Sequence, residues 1–288
     1  MRTIALVSGA FLAVCFANFG CGETDDDFPP GVTYEGEWGE EGHGPGEFTT
    51  VHDMAVAPNG NVYTVDPSTQ MVNYFTAEGV YVGSWSFHSG DAIAVSPNTN
   101  VYVVNSIDYY IRYYTKTGEY LGHWTPRGDG FISGISVAPD TKVYIAVASY
   151  SGNCVQYYSR TGSFRGEWHT SYYPSALEVS DDGTVYVLGT DEYVRCYTAN
   201  GSFLRRWRAG GHSASDITVG SDGKIFVVDC DECRIRYYDA EGTELGSWGW
   251  EGPGPGGFNL PDRLSAAPLS RVYVNDHYNR RIQYFHVE

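Results

Sequence analysis

Six short apolar segments recur along the 288-residue chain: "DMAVAP" from Asp53, "AIAVSP" from Ala92, "GISVAP" from Gly134, "ALEVSD" from Ala176, "DITVGS" from Asp216 and "RLSAAP" from Arg263. Ionisable side chains gather at or just before their starts: His52 and Asp53, Asp91, Asp216, and Asp262 with Arg263. Ser133 and Ser175 hold that place in two further copies, and inside the fourth segment Glu178 replaces the Ala, Ser or Thr found in the others. If the starts converge, their carboxylates could hold a divalent metal that polarises a carbonyl or activates water. Zinc is the other option, with His52 joined by His88, His169 and His212 from the stretches leading into the segments. The spacing counts against zinc, because only His52 falls at a segment start. A wet opening also carries Asp and His without doing any chemistry. Glu178 fits that plain explanation least, since a carboxylate in a narrow space is costly unless paired or solvated. The chain has no nucleophile elbow, H-E-x-x-H or P-loop.

The elements that position these residues repeat too. Trp38, Trp85, Trp124, Trp168, Trp207 and Trp248 are separated by 47, 39, 44, 39 and 41 residues. Between them one phrase returns: the apolar segment, a turn, a β-rich dipeptide such as Val62–Tyr63, an aromatic pair such as "VNYF" or "IRYY", then a Gly turn and the Trp. Each run is short, β-branched or aromatic, and bounded by Gly, Asn, Asp or Pro. That predicts four antiparallel strands joined by hairpins. Six such units predict an all-β, six-bladed β-propeller, in which every blade buries its faces against its neighbours. After the sixth "IQYF" the chain ends at Glu288, one strand short, while "VTYEGEW" precedes the first unit with no partner. The N-terminal strand is therefore expected to complete blade six and close the ring, which leaves no long free edge. The loop "GEWGEEGHGPGEF" and its near-copy "GSWGWEGPGPGGF" then mark equivalent blade junctions. In each aromatic pair, one ring should pack between blades and the other can face solvent.

Two stretches resemble the NHL-repeat family of six-bladed propellers: "GEEGHGPGEFTTVHDMAVAPNGNVYTVD", and "GGFNLPDRLSAAPLSRVYVNDHYNRRIQYF" with Asp276, Asn279, Arg281 and Ile282. Blade five keeps Asp229, Arg234 and Ile235. Blades two to four depart from the pattern: Asn105 replaces the Asp, and Tyr110, Cys154 and Tyr193 stand in the Arg place. The resemblance covers residues 34–288 and implies a fold that hosts many functions. Asp66, Asp229 and Asp276 are expected to pin hairpins by charge-assisted hydrogen bonds. Six-bladed relatives also include metal-dependent lactonases and amidating lyases, which implies Ca or Zn in the channel as an alternative to no cofactor.

Residues 1–20 read as a secretory leader, and Gly20–Cys21 is similar to a lipoprotein processing site with Cys21 as the lipidated residue. Residues 21–33 read as a flexible acidic tether. Localisation is expected to be extracytoplasmic, lipid-anchored at the periplasm or cell surface, or secreted. The net charge of −17 becomes −18 once Arg2 leaves with the leader, which disfavours nucleic acid. Membrane contact is expected only through the anchor. In an exported protein Cys230 and Cys233 are expected to form a local disulfide, since zinc would need a second ligand pair. The function expected is a monomeric binding or scaffold module for a protein, peptide or glycan. Its ligand-binding candidates are His52, Asp53, Asp91, Glu178, Asp216, Asp262 and Arg263. The alternative is a metal-dependent lyase or lactone hydrolase at the channel mouth. Mass spectrometry of the mature N-terminus checks the anchor: the expected species begins with diacylated Cys21, and an unmodified N-terminus elsewhere rules it out.

Overall fold

Each repeat folds as an antiparallel four-stranded sheet, because its runs are long enough for one strand and its Gly, Asn and Asp residues take the turns. The computed structural model describes residues 28–87, 90–105, 108–211 and 213–288. The N-terminal strand is β1 (Val32–Trp38). Blade one holds β2 (Asp53–Val56), β3 (Val62–Asp66), β4 (Met71–Phe75) and β5 (Tyr81–Ser86). Blade two holds β6 (Ala92–Val95), β7 (Val101–Asn105), β8 (Tyr110–Tyr114) and β9 (Tyr120–Trp124). Blade three holds β10 (Phe131–Val137), β11 (Val143–Ala148), β12 (Asn153–Tyr158) and β13 (Phe164–Thr170). Blade four holds β14 (Pro174–Val179), β15 (Val185–Gly189), β16 (Tyr193–Tyr197) and β17 (Phe203–Arg208). Blade five holds β18 (Ala214–Val219), β19 (Ile225–Asp229), β20 (Arg234–Tyr238) and β21 (Glu244–Trp248). A small pair, β22 (Trp250–Glu251) with β23 (Gly257–Phe258), leads into blade six: β24 (Pro261–Ala267), β25 (Arg271–Asp276) and β26 (Arg281–Val287).

The sixth sheet runs β1-β26-β25-β24, so the chain is a six-bladed propeller closed by its own N-terminal strand. Val32 pairs with Val287 and Trp38 with Ile282, and the Glu288 amide donates to the Gly31 carbonyl at 2.8 Å.

Neighbouring blades are held by a repeated clasp. The Tyr63 hydroxyl of blade one donates to the Lys116 carbonyl in the outer turn of blade two at 3.0 Å. Gly118 of that turn, at φ +90°, lies so close to Trp85 that a Cβ would enter the indole. Tyr63 and Trp85 meet edge to face. The same clasp joins Tyr102 to Arg160, Tyr144 to Ala199 and Tyr273 to Ala77, with hydroxyl–carbonyl distances of 2.9–3.1 Å. At the blade five to six junction no turn joins β26 to β1, and Glu288 lies opposite Gly31 instead. The residue in the clasp position is Phe226, which has no hydroxyl to satisfy.

The aromatic pairs differ from expectation. Both members pack inward. The second is fully or nearly buried, and the first stacks on the clasp residue, as Tyr74 does on Tyr63 at 5.4 Å and Tyr157 on Tyr144 at 5.5 Å. Stacking leaves no room across the ladder, so a glycine faces the first ring in five blades: Gly83, Gly122, Gly166, Gly246 and Gly36. In blade four the ring is replaced by Cys196, and the glycine by Arg205. Arg205 Nε then donates to the Ala240 carbonyl at 2.6 Å, taking over the turn contact that a tyrosine makes elsewhere.

Asp66 accepts from the Thr49, Thr50, Ser68 and Thr69 amides, and Asp276 from the Asn259 amide, Asn279 and Arg281, so both pin loops to their hairpins. Asp229 does less: it accepts from the Glu232 amide at 3.2 Å, and its Oδ2 lies 3.9 Å from Arg236 Nε without a hydrogen bond. In blade three Cys154 holds the Arg place as expected, and it pairs with Val147, which stands where blade six has Asp276. The Cys230–Cys233 disulfide is not formed. Both are buried free thiols whose side chains leave the turn separately: Cys230 Sγ meets Ser215 Oγ at 3.0 Å, while Cys233 sits in the apolar core beside Val228, Ile235 and Phe258. Cys21 and the leader lie outside the described residues.

The Cys196–Arg205 exchange predicts a compensating pair. Cys196→Tyr alone forces a ring against Arg205 and should cost about 1–3 kcal/mol of unfolding free energy. Adding Arg205→Gly should recover a good part of that loss, and equal instability of single and double variants in urea melts contradicts the pairing.

Candidate functional site

The six inner strands, β2, β6, β10, β14, β18 and β24, are sheet edges turned toward a central channel, so their outward amides have no ladder partner. Side chains of the preceding blade supply acceptors. Asp53 Oδ2 accepts from the Ile93 amide of blade two at 2.8 Å, and Asp216 Oδ2 from the Leu264 amide of blade six at 3.0 Å. Two residues deeper, hydroxyls do the same: Ser136 for Val179, Thr218 for Ala266 and Ser265 for Val56, at 3.0–3.2 Å. This interblade capping is a structural task that spacing alone does not reveal.

Glu178 occupies the same deeper ring as Ser136, Thr218 and Ser265. Its longer side chain lies where a cavity of about 120 Å³, open toward the strand starts, meets one of about 310 Å³ at the other mouth. That second mouth is rimmed by Pro58, Pro97, Pro139 and Pro268. Burial, with Asp216 and Asp53 as like-charged neighbours, pushes the Glu178 carboxyl up to about 8. Burial also raises Asp53 and Asp216, each partly offset by Arg263. Arg263 comes from the blade between theirs, and its Nε lies 3.9 Å from Asp53 Oδ1.

At the mouth by the strand starts, His52 Nδ1 stands 4.0 Å from Asp91. Asp262 accepts from Asn275 at 2.7 Å and lies 3.3 Å from His277 Nδ1, whose proton affinity it raises. His277 was missed by sequence reasoning because it belongs to the short turn before β26, outside the repeated segments. The structure thus brings together Asp53, Glu178, Asp216 and Arg263 along the channel, with His52, Asp91 and Asp262 around its mouth. Ser133 and Ser175 donate to the Pro174 and Leu188 carbonyls. His169 is exposed on the outer strand β13, away from this mouth. His88 and His212 lie outside the described residues. Among the described residues, no three His, Cys, Asp or Glu are grouped so as to hold a metal ion.

The same end of the propeller displays aromatic rings. Tyr150 is fully exposed, and Tyr109, Phe131, Tyr173 and Tyr278 are each about half exposed. All five sit where an inner strand begins or where the second strand hands over to the third. Phe131 pairs with Ala148, two residues before Tyr150, and the Ser133–Pro174 hydrogen bond places Tyr173 beside them. The loop composition "ASYSGN" and "TSYYPS", found in blades that lack the hairpin Asp, is the sequence signal for this surface.

No protein-family model matches this chain, and no curated protein matches it. Solved structures share its fold. A streptogramin B lyase superposes with a TM-score of 0.62 at 14% identity, covering 89% of this chain and 88% of that one. Virginiamycin B lyase from Staphylococcus aureus gives 0.61 at 11% identity, covering 82% and 80%. A protein of unknown function from Bacteroides caccae gives 0.61 at 11%, covering 75% and 82%. The likeness is one of fold.

The raised Glu178 carboxyl gives a signed pH dependence. A carboxyl that binds its proton more tightly when folded adds stability below its unfolded value near 4.3, and that stability is lost as pH rises through about 8. Between pH 6 and 8 Glu178 should contribute a decline approaching about 1.4 kcal/mol per pH unit, and Glu178→Gln should remove that share. Urea unfolding across this range checks it; an unchanged slope in the variant contradicts the assignment.

Proposed function

We propose that the chain is an exported, lipid-anchored NHL-type propeller that recognises a protein, peptide or glycan with the end at which its inner strands begin. The aromatic surface across blades two to four carries this reading. Exposed apolar rings grouped on one end are interaction surface rather than core, and Tyr set among Ser and Gly gives rigid contact area with adaptable hydrogen bonds. The channel acids support it from the other side. Asp53 and Asp216 accept from neighbouring amides, and the Arg263 guanidinium already offsets the charge of both.

The second reading is a metal-dependent lyase or lactone hydrolase. It draws on the fold shared with streptogramin B lyase and on the Asp262–His277 couple, which could move a proton at the mouth. The donor arrangement favours recognition.

Screening the purified protein against glycan and peptide arrays should return a ligand that Tyr150→Ala with Tyr173→Ala weakens at least roughly tenfold, with an unchanged Tm. A hit indifferent to both substitutions contradicts the surface. Stoichiometric Ca or Zn that is lost on Asp53→Asn, Glu178→Gln or Asp216→Asn sinks the binding reading in favour of the enzyme.

A further inference from the structure

Resting on the recognition role above, we infer that the ligand is a basic protein segment, which lays one Lys or Arg between Asp129 and Tyr150 and directs another into the channel mouth. The first seat is built from blade three. Ser149 and Ser151, on either side of Tyr150, both donate to Asp129 Oδ1, at 3.2 and 3.3 Å. The carboxylate is thereby tied to the loop that carries the fully exposed Tyr150, and Phe131 and Tyr173 lie on the same rim. An anion fixed beside an aromatic face suits a cation on a long apolar stem, which takes the ion pair and the ring contact together.

The second seat rests on charge. Carboxyls face the channel and its mouth from β2 (Asp53), the approach to β6 (Asp91), β14 (Glu178), β18 (Asp216) and the start of β24 (Asp262). Among the residues lining the channel, Arg263 is the guanidinium set against them, and His52 and His277 stand at the rim. Arg263 offsets only part of the charge of Asp53, Glu178 and Asp216, and burial and mutual repulsion keep protons on part of that set. A neutral sugar leaves that repulsion in place. An arriving ammonium or guanidinium relieves it and lets the retained protons go.

Proton release sets the test. Calorimetry on the full mature chain would use an alternating Gly-Arg peptide, its Gly-Glu twin and chitotetraose, at pH 6 and pH 8 and in buffers of different ionisation heat. The Gly-Arg peptide should bind, tighten roughly tenfold at the higher pH, and release protons. The Gly-Glu twin should stay inert, and Asp129→Asn or Tyr150→Ala should weaken binding by roughly fivefold or more. Equal Gly-Arg binding by those variants, or binding without proton release, overturns the inference. Chitotetraose binding that needs Tyr150, with Gly-Arg inert, overturns the basic segment and leaves the recognition role standing. Inertness to all three probes overturns the basic segment, while the array screen still decides the recognition role.

Discussion

The ring depends on the clasp between blades. A single four-stranded blade has two apolar faces, and neither is covered until a neighbour arrives. The clasp makes that arrival specific: a tyrosine hydroxyl from one blade finds the turn carbonyl of the next, and the turn glycine lies flat on the tryptophan. Each hydroxyl is worth about 1 kcal/mol net, yet each would cost more if buried without its acceptor. That asymmetry accounts for blade five, where no turn joins β26 to β1 and the clasp residue is Phe226, while blade four keeps Tyr186 in the clasp position and Arg205 takes the turn carbonyl.

A second constraint follows from the first. Closing six sheets into a ring turns six sheet edges toward one narrow channel, where water can satisfy only part of their amides. Asp53, Asp216, Ser136, Thr218 and Ser265 take up that task across blade boundaries. Most of the polar residues of the channel are thus part of the scaffold. Their placement still has an electrostatic result: carboxyls that cap amides are crowded together with Glu178, and Arg263 offsets only part of their charge. The acidic interior and the aromatic rim belong to the same end of the molecule, so one ligand can meet both.

Much of the fold was legible in sequence because propeller repeats are local. Six tryptophans, six Val-Tyr-like dipeptides and turn residues at matching offsets dictate strand order before any long-range contact is known. The closure by "VTYEGEW" was legible by counting strands. The ring of each Tyr pair expected to face solvent is instead stacked on its blade and at most partly exposed, since which ring stacks on which depends on the sheet ladder and not on the pair itself. The CDEC thiols failed in a similar way: their spacing permits a disulfide, but the turn sends one side chain to Ser215 and the other into the core.

By itself, then, the sequence determined the blade count, the strand order, the seam and the identity of the channel acids, because these follow from periodicity and chain length. Tertiary structure decided what those acids face, which of them cap a neighbouring blade, and that His277 joins Asp262. It also gathered Phe131, Tyr150 and Tyr173 from two blades onto one rim. Those outcomes rest on contacts between residues about forty apart or more, or between loops outside the repeat, where no local pattern carries the information.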